Sequence, residues 1–178
     1  NGGATLAMNT LALANFQTWS NASSGDLTVS AAISGTSGLE INNTGTGNTI
    51  FSGANTFSGG TTLTAGTLKT SGTGTLGAPD GSLTVDGGTM DLNGTSQSVG
   101  LLLGTGGTIL NDGTGTNVTL TIGAGNANGS NYQGILANHA SGTGTMALTK
   151  IGTGGLTLSG ANTYSGKSTI NGGTLQVG

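Results

Sequence analysis

Aliphatic and small polar residues alternate in short runs along the chain. Leu27–Ala31, Thr49–Ser52, Thr61–Thr64, Ser82–Val85, Thr89–Leu92, Val118–Ile122, Met146–Lys150 and Leu156–Leu158 interleave aliphatic positions with Thr, Ser or other polar residues. A period of two sends one set of side chains inward and the other into water, so each run predicts a half-buried strand. Turn chemistry separates the runs, at Ala78-Pro79-Asp80-Gly81, Asp86-Gly87-Gly88 and Asn171-Gly172-Gly173. Proline presets φ for a turn, and Gly or Asn accepts a positive φ. Glycines and β-branched residues interrupt every window long enough for a helix. The pattern is all-β.

Self-similarity chooses among all-β architectures. Ser52-Gly53-Ala54-Asn55-Thr56-Phe57-Ser58-Gly59 returns as Ser159-Gly160-Ala161-Asn162-Thr163-Tyr164-Ser165-Gly166. At the same offset, without a gap, the match extends to Gly66-Thr67-Leu68 with Gly173-Thr174-Leu175, and upstream to Ser34-Gly35-Thr36 with Ser141-Gly142-Thr143. A unit this long spans several coils of a solenoid. Coils of about 20–25 residues predict about seven to nine rungs, and at about 4.8 Å per rung a rod roughly 35–45 Å long. Each coil would bury a small aliphatic stack against its neighbours. A β-sandwich is the rival architecture. Residues 1–26 lie outside the repeated pattern and read as an N-terminal strand or cap region. Residues 27–178 read as the solenoid, with related units over about 34–71 and 141–178.

Composition narrows this further. The chain has 178 residues, of which 38 are glycine and only 5% charged. Low charge alone suggests disorder, but 33% of residues are hydrophobic and the net charge is −3. Disordered chains combine low hydrophobicity with high net charge, and this one has neither. Three lysines and no arginine argue against nucleic acid, whose binding depends on neutralising phosphates. The longest apolar runs, such as Val99–Leu103, are too short to span a bilayer. Absence of cysteine removes disulfides, thiolate metal sites and Cys nucleophiles. The first residue is Asn1, with neither methionine nor signal peptide, which reads as a processed or excised segment.

The stretch Leu148-Thr-Lys-Ile-Gly-Thr-Gly-Gly-Leu-Thr-Leu-Ser-Gly-Ala-Asn-Thr-Tyr-Ser-Gly166, followed by Ile170-Asn-Gly-Gly-Thr-Leu-Gln-Val177, closely resembles the autotransporter-associated β-strand repeat. Gly81-Ser-Leu-Thr-Val-Asp-Gly-Gly-Thr-Met-Asp-Leu-Asn-Gly94 resembles the linking coils of that family. The first copy departs from the second in having Asn43 in place of Lys150, and Asn48-Thr49-Ile50 in place of Gly155-Leu156-Thr157. The resemblance implies a right-handed parallel β-helix, exported across the outer membrane through a C-terminal barrel and acting mainly as a stalk. A chain without cysteine suits threading through a pore.

Candidate chemistry is sparse. Ala161-Asn-Thr-Tyr-Ser-Gly-Lys167-Ser168 fits a relaxed phosphate loop, but such a loop must open a helix, and Thr169-Ile-Asn-Gly-Gly reads as strand and turn. Gly72-Thr-Gly-Thr-Leu-Gly77 fits the dinucleotide fingerprint by letters alone, with no βαβ unit around it. Asp112-Gly-Thr-Gly-Thr-Asn117 hints at a calcium roll, yet its aspartate does not repeat, and calcium takes six to eight oxygens. Asp86 and Asp91 form the one close carboxylate pair and read as solvated turn and strand positions rather than a glycosidase pair. His139 reads as a loop residue. Asn93-Gly-Thr95 is a sequon expected in so Asn/Thr-rich a chain. Phe16 and Trp19 read as core or cap packing, with a sugar-stacking platform as the sharper alternative.

The expectation is a non-catalytic surface module without metal or cofactor, spacing or displaying something beyond it. Two alternatives involve partners: direct adhesion to surface glycans or a host protein, and end-to-end self-association through unpaired strand edges. Ice binding through Thr62-Leu-Thr64 and Thr119-Leu-Thr121 requires both pairs on one flat face.

Overall fold

The computed structural model describes residues 2–178. The chain winds through eight coils, each crossing up to three faces in the same order. Coil 1 consists of β1 (Ala4–Leu6), β2 (Thr10–Leu13) and β3 (Gln17–Trp19); coil 2 of β4 (Leu27–Val29), β5 (Ala32–Gly35) and β6 (Leu39–Asn42). Coil 3 has β7 (Thr49–Phe51) and β8 (Thr61–Ala65), and coil 4 has β9 (Thr67–Thr70) and β10 (Ser82–Val85). Coil 5 is β11 (Thr89–Asp91), β12 (Gln97–Val99) and β13 (Leu101–Gly104). Coil 6 is β14 (Thr108–Leu110), β15 (Asn117–Ile122) and β16 (Ser130–Tyr132). Coil 7 is β17 (Ile135–Leu136), β18 (Thr145–Lys150) and β19 (Gly155–Leu158), and coil 8 ends on β20 (Ser168–Ile170) and β21 (Thr174–Val177).

Stacking these coils makes parallel sheets. The first face is the seven-stranded sheet β1-β4-β7-β9-β11-β14-β17, and the third is the eight-stranded sheet β3-β6-β8-β10-β13-β16-β19-β21. The second face is interrupted. It holds β2-β5, then two coils without a strand, then β12-β15-β18-β20. Every strand pairing among the described residues is parallel. This is the expected all-β solenoid, and eight coils fall inside the expected seven to nine.

Period-two alternation does what the sequence pattern requires. On the third face Trp19, Ile41, Leu63 and Val85 stack in one inward column. On the first face Thr49, Leu68, Met90, Ile109 and Leu136 form another. All of these except Trp19 are buried, and the aliphatic ones join the second-face residues Leu120 and Leu148 in one continuous core. Fully burying an aliphatic side chain is worth about 1.5–3 kcal/mol, so a column of small residues repeated along the axis replaces a globular centre. Thr49 can stand in this column because its hydroxyl donates to Asn43 Oδ1 at 2.9 Å. Thr61 is buried on the same terms, donating to Leu76 O at 2.7 Å.

Coil length varies more than the sequence pattern suggests. Among the shortest coils is the one from Thr89 to its partner Thr108, and among the longest the one from Leu103 to its partner Asn131. The surplus sits at corners, where it leaves the ladder intact: the 3-10 turn Ala124–Asn126 follows β15, and the loop 137–144 precedes β18.

Candidate functional site

The feature with most internal evidence of a role is the repeated octapeptide. Both copies lie where a strand would otherwise be. Ser52–Gly59 crosses the second face in coil 3, between β7 and β8. Ser159–Gly166 crosses the first face in coil 8, between β19 and β20. The copies therefore occupy different faces. The step from one to the other is four whole coils plus two faces, so the second copy is turned around the axis relative to the first.

Their contacts to the preceding coil are nonetheless the same. Ser52 N–H donates to Val29 O at 2.9 Å, and Ser159 N–H to Tyr132 O at 3.1 Å. Asn55 Oδ1 accepts the Ile33 N–H at 2.9 Å, and Asn162 Oδ1 accepts the Leu136 N–H at 2.8 Å. Thr56 N–H returns to Ile33 O at 2.7 Å, and Thr163 N–H to Leu136 O at 2.8 Å. Gly53 lies against Ala31 O and Gly160 against Gly134 O, with no space for a Cβ at either. The copies diverge after this point. Phe57 is fully buried, whereas Tyr164 is half-buried and its hydroxyl meets Ser168 Oγ at 2.8 Å.

Side-chain amides also carry the ladder across the interrupted second face. Asn55 Nδ2 donates forward to Thr75 O at 2.7 Å. In the next coil Leu76 N–H donates to Gln97 Oε1 at 3.1 Å, and Gln97 Nε2 donates to Gly74 O at 3.0 Å. Asn55 and Gln97 thus help join β5 to β12 where strand pairing gives way to isolated backbone bonds such as Thr75 N–H to Gly53 O. Sequence reasoning missed Gln97, because its partners lie a coil away. Buried amides of this kind are rarely left unpaired.

The substitution of Lys150 for Asn43 falls on a coil corner. Asn43 Oδ1 accepts from Asn21 N–H, and its Nδ2 donates to Thr67 O. Lys150 lies inward between Ile122 and Ile170 in the second-face register, only 1% exposed. Its Nζ donates to Ile151 O at 2.6 Å and reaches Gly152 O and Gly172 O at 3.4 Å. Desolvation by burial pulls its pKa below the ordinary lysine value. Both residues donate to nearby backbone carbonyls, Asn43 to Thr67 O at the start of β9 and Lys150 to Ile151 O just after β18.

The remaining candidates come apart. Lys167 is exposed immediately before β20, with no helix after it. Gly72–Gly77 crosses the second face of coil 4. Asp91 corrects the solvated reading: it is 1% exposed, its Oδ1 accepts from Asn93 N–H and Asp112 N–H, and its Oδ2 lies 3.2 Å from Lys69 Nζ. The Lys69 contact is an ion pair without hydrogen-bond geometry. Register sets Asp91 level with Lys69, on the outward side of β11, and its burial comes from Lys69 and the Asn93 and Asp112 amides closing over it. Asp86 instead caps an exposed turn through Thr105 N–H. His139 is exposed in loop 137–144, and no cluster of three metal-ligating groups occurs among the described residues. Trp19 packs edge-on to Phe51 at 6.5 Å and 87°, whereas Phe16 is 59% exposed on the β2–β3 turn, outside the core. Thr62 and Thr64 lie on β8, Thr119 and Thr121 on β15, so the two Thr pairs stand on different faces.

Asp112 is a loop anchor. Burial pushes its pKa up, but hydrogen bonds from Ser141, Gly142 and Ala140 N–H and the Ser141 hydroxyl outweigh that and hold it at about 2. A depressed carboxylate pKa contributes stability fully present above the unfolded value, and lost as pH falls through the folded one. Amide exchange at residues 140–142 is therefore expected to accelerate between about pH 4 and pH 2, beyond the intrinsic pH dependence of exchange. In Asp112→Asn the loop should already be looser at neutral pH, and this extra acid step should be gone. A protected loop at pH 2 would refute the assignment.

A family model for the passenger-associated-transport-repeat matches residues 41–69 and 148–177. These segments contain the two octapeptides with their flanking strands. In the same comparisons no curated protein and no solved structure matches the chain.

Proposed function

We propose that this chain, two segments of which match the passenger-associated-transport-repeat, is a non-catalytic stalk segment of autotransporter-passenger type displayed outside a bacterial cell. Its work is mechanical, holding whatever it carries at a set distance from the surface. The carrying observation is the unbroken stack: eight coils share one core and a ladder running along the axis. At about 4.8 Å per coil the segment spans roughly 38 Å. Little charge is needed on such a surface, because outward Thr and Ser side chains suit strands and solvent alike.

The test is a height measurement. A surface-displayed reporter head is carried on zero, one or two copies of the segment, and its distance from the outer membrane is read by electron microscopy. Each copy should add about 35–40 Å. A height independent of copy number, or glycan-array binding by the segment alone that is lost when one face is mutated, would replace the stalk with another role.

A further inference from the structure

We propose that the asparagine of each repeat is a register key: its side-chain oxygen stands in for a backbone carbonyl, reads one N–H of the preceding coil and so fixes how the next coil lies on it. This deepens the structural reading above, but its test does not depend on any spacing role.

Within a sheet, register is set by continuous backbone pairing and by the alternation of side chains; a slip of one residue turns every side chain to the wrong side. The octapeptides form no strand, and where they cross the ladder thins to isolated backbone bonds, such as Ser52 N–H to Val29 O and Ser58 N–H to Gly35 O. The repeat tightens it by gripping one residue from both sides. Ile33 has its N–H taken by Asn55 Oδ1 and its carbonyl by Thr56 N–H, and Leu136 is gripped in the same way by Asn162 and Thr163. Both gripped residues are fully buried core positions, Ile33 on β5 and Leu136 on β17. The glycine two places before each asparagine brings the chain close enough for so short a side chain to reach. A Cβ at Gly53 or Gly160 would meet the backbone of the coil below.

The turn between copies argues against the motif being a displayed surface patch. Ser52–Gly59 and Ser159–Gly166 share seven of eight residues, yet they stand on the second and first faces. A ligand site repeated for avidity would face one way. A key needs only the N–H and carbonyl of a buried residue in the coil before it, which every face supplies. Its action is therefore independent of face, and a repeat spacing out of phase with the coils is tolerated. Both side-chain oxygens read the coil that precedes them in the chain.

Amide hydrogen exchange on the whole chain tests this at single residues. Asn162→Ala should accelerate exchange of the Leu136 amide by about tenfold or more, while amides of coils 1–5 keep their rates. Asn55→Ala should do the same to Ile33. In Asn162→Asp, whose carboxylate still accepts, Leu136 should stay protected. Should Asn55→Ala fail to fold, the half-buried Asn162 in the terminal coil still gives the answer. Unchanged rates at Leu136, or acceleration spread evenly over the whole ladder, would overturn the proposal, as would equal loss of protection in the alanine and aspartate variants.

Discussion

Replacing Phe51 by alanine is expected to lower stability by about 3–5 kcal/mol, the range for truncating a buried aromatic. Phe51 is fully buried at the end of β7, edge-on to Trp19 with ring centroids 6.5 Å apart. Around it the backbone is also close: Gly74 lies against Phe51 O with no space for a Cβ, so coil 4 has little freedom to settle into the cavity. An unrelaxed cavity puts the loss toward the upper end. In a linear stack each coil contacts only its neighbours, so the damage should be local. Exchange protection should fall most in coils 1–4 and least in coils 6–8, and the first denaturant transition should move to lower concentration. A loss under about 1 kcal/mol would show that Phe51 is not part of the shared core.

The second large effect is expected at Gly104. Its φ of 141° is one that L side chains rarely adopt, and an added Cβ would run into Val85 O of the strand below. Backbone strain and overpacking each contribute about 1–3 kcal/mol, so Gly104→Ala should be destabilising by about 3 kcal/mol or more. Gly72 supplies the control. It also has a positive φ, 59°, but nothing lies within 4 Å of where a Cβ would be. Gly72→Ala should therefore register only the left-handed penalty of about 1–2 kcal/mol. Equal effects at the two positions, measured by thermal and chemical unfolding, would mean that conformation alone governs these glycines and close stacking does not.

Several elements are legible in the sequence alone. The runs Ser82–Val85 and Thr89–Leu92 became β10 and β11, joined by the turn read at Asp86-Gly87-Gly88. Other strands left weaker traces. β13 reads Leu101-Leu102-Leu103-Gly104, aliphatic on both sides, and its period-two signal is lost. β16 and β20 are short and polar, and belong to the ladder only because a longer strand lies beside them. Asp91 misled for a related reason. Beside a two-glycine turn it looks solvated, and only its register opposite Lys69 and the donors Asn93 and Asp112 explain a buried carboxylate.

The amino-acid order by itself determined the class of the fold, the presence of two related units and the octapeptide that marks them, because alternation, turn chemistry and self-similarity are local properties of a chain. Only the folded stack decided which face each unit occupies. Coils differ in length, as the short step from Thr89 to Thr108 and the long one from Leu103 to Asn131 show, and every extra residue at a corner shifts the phase of all that follows. The roles of Asn55, Gln97 and Asn162 were decided there too. Each amide takes its meaning from a backbone group roughly one coil away, and that distance closes only when the chain winds.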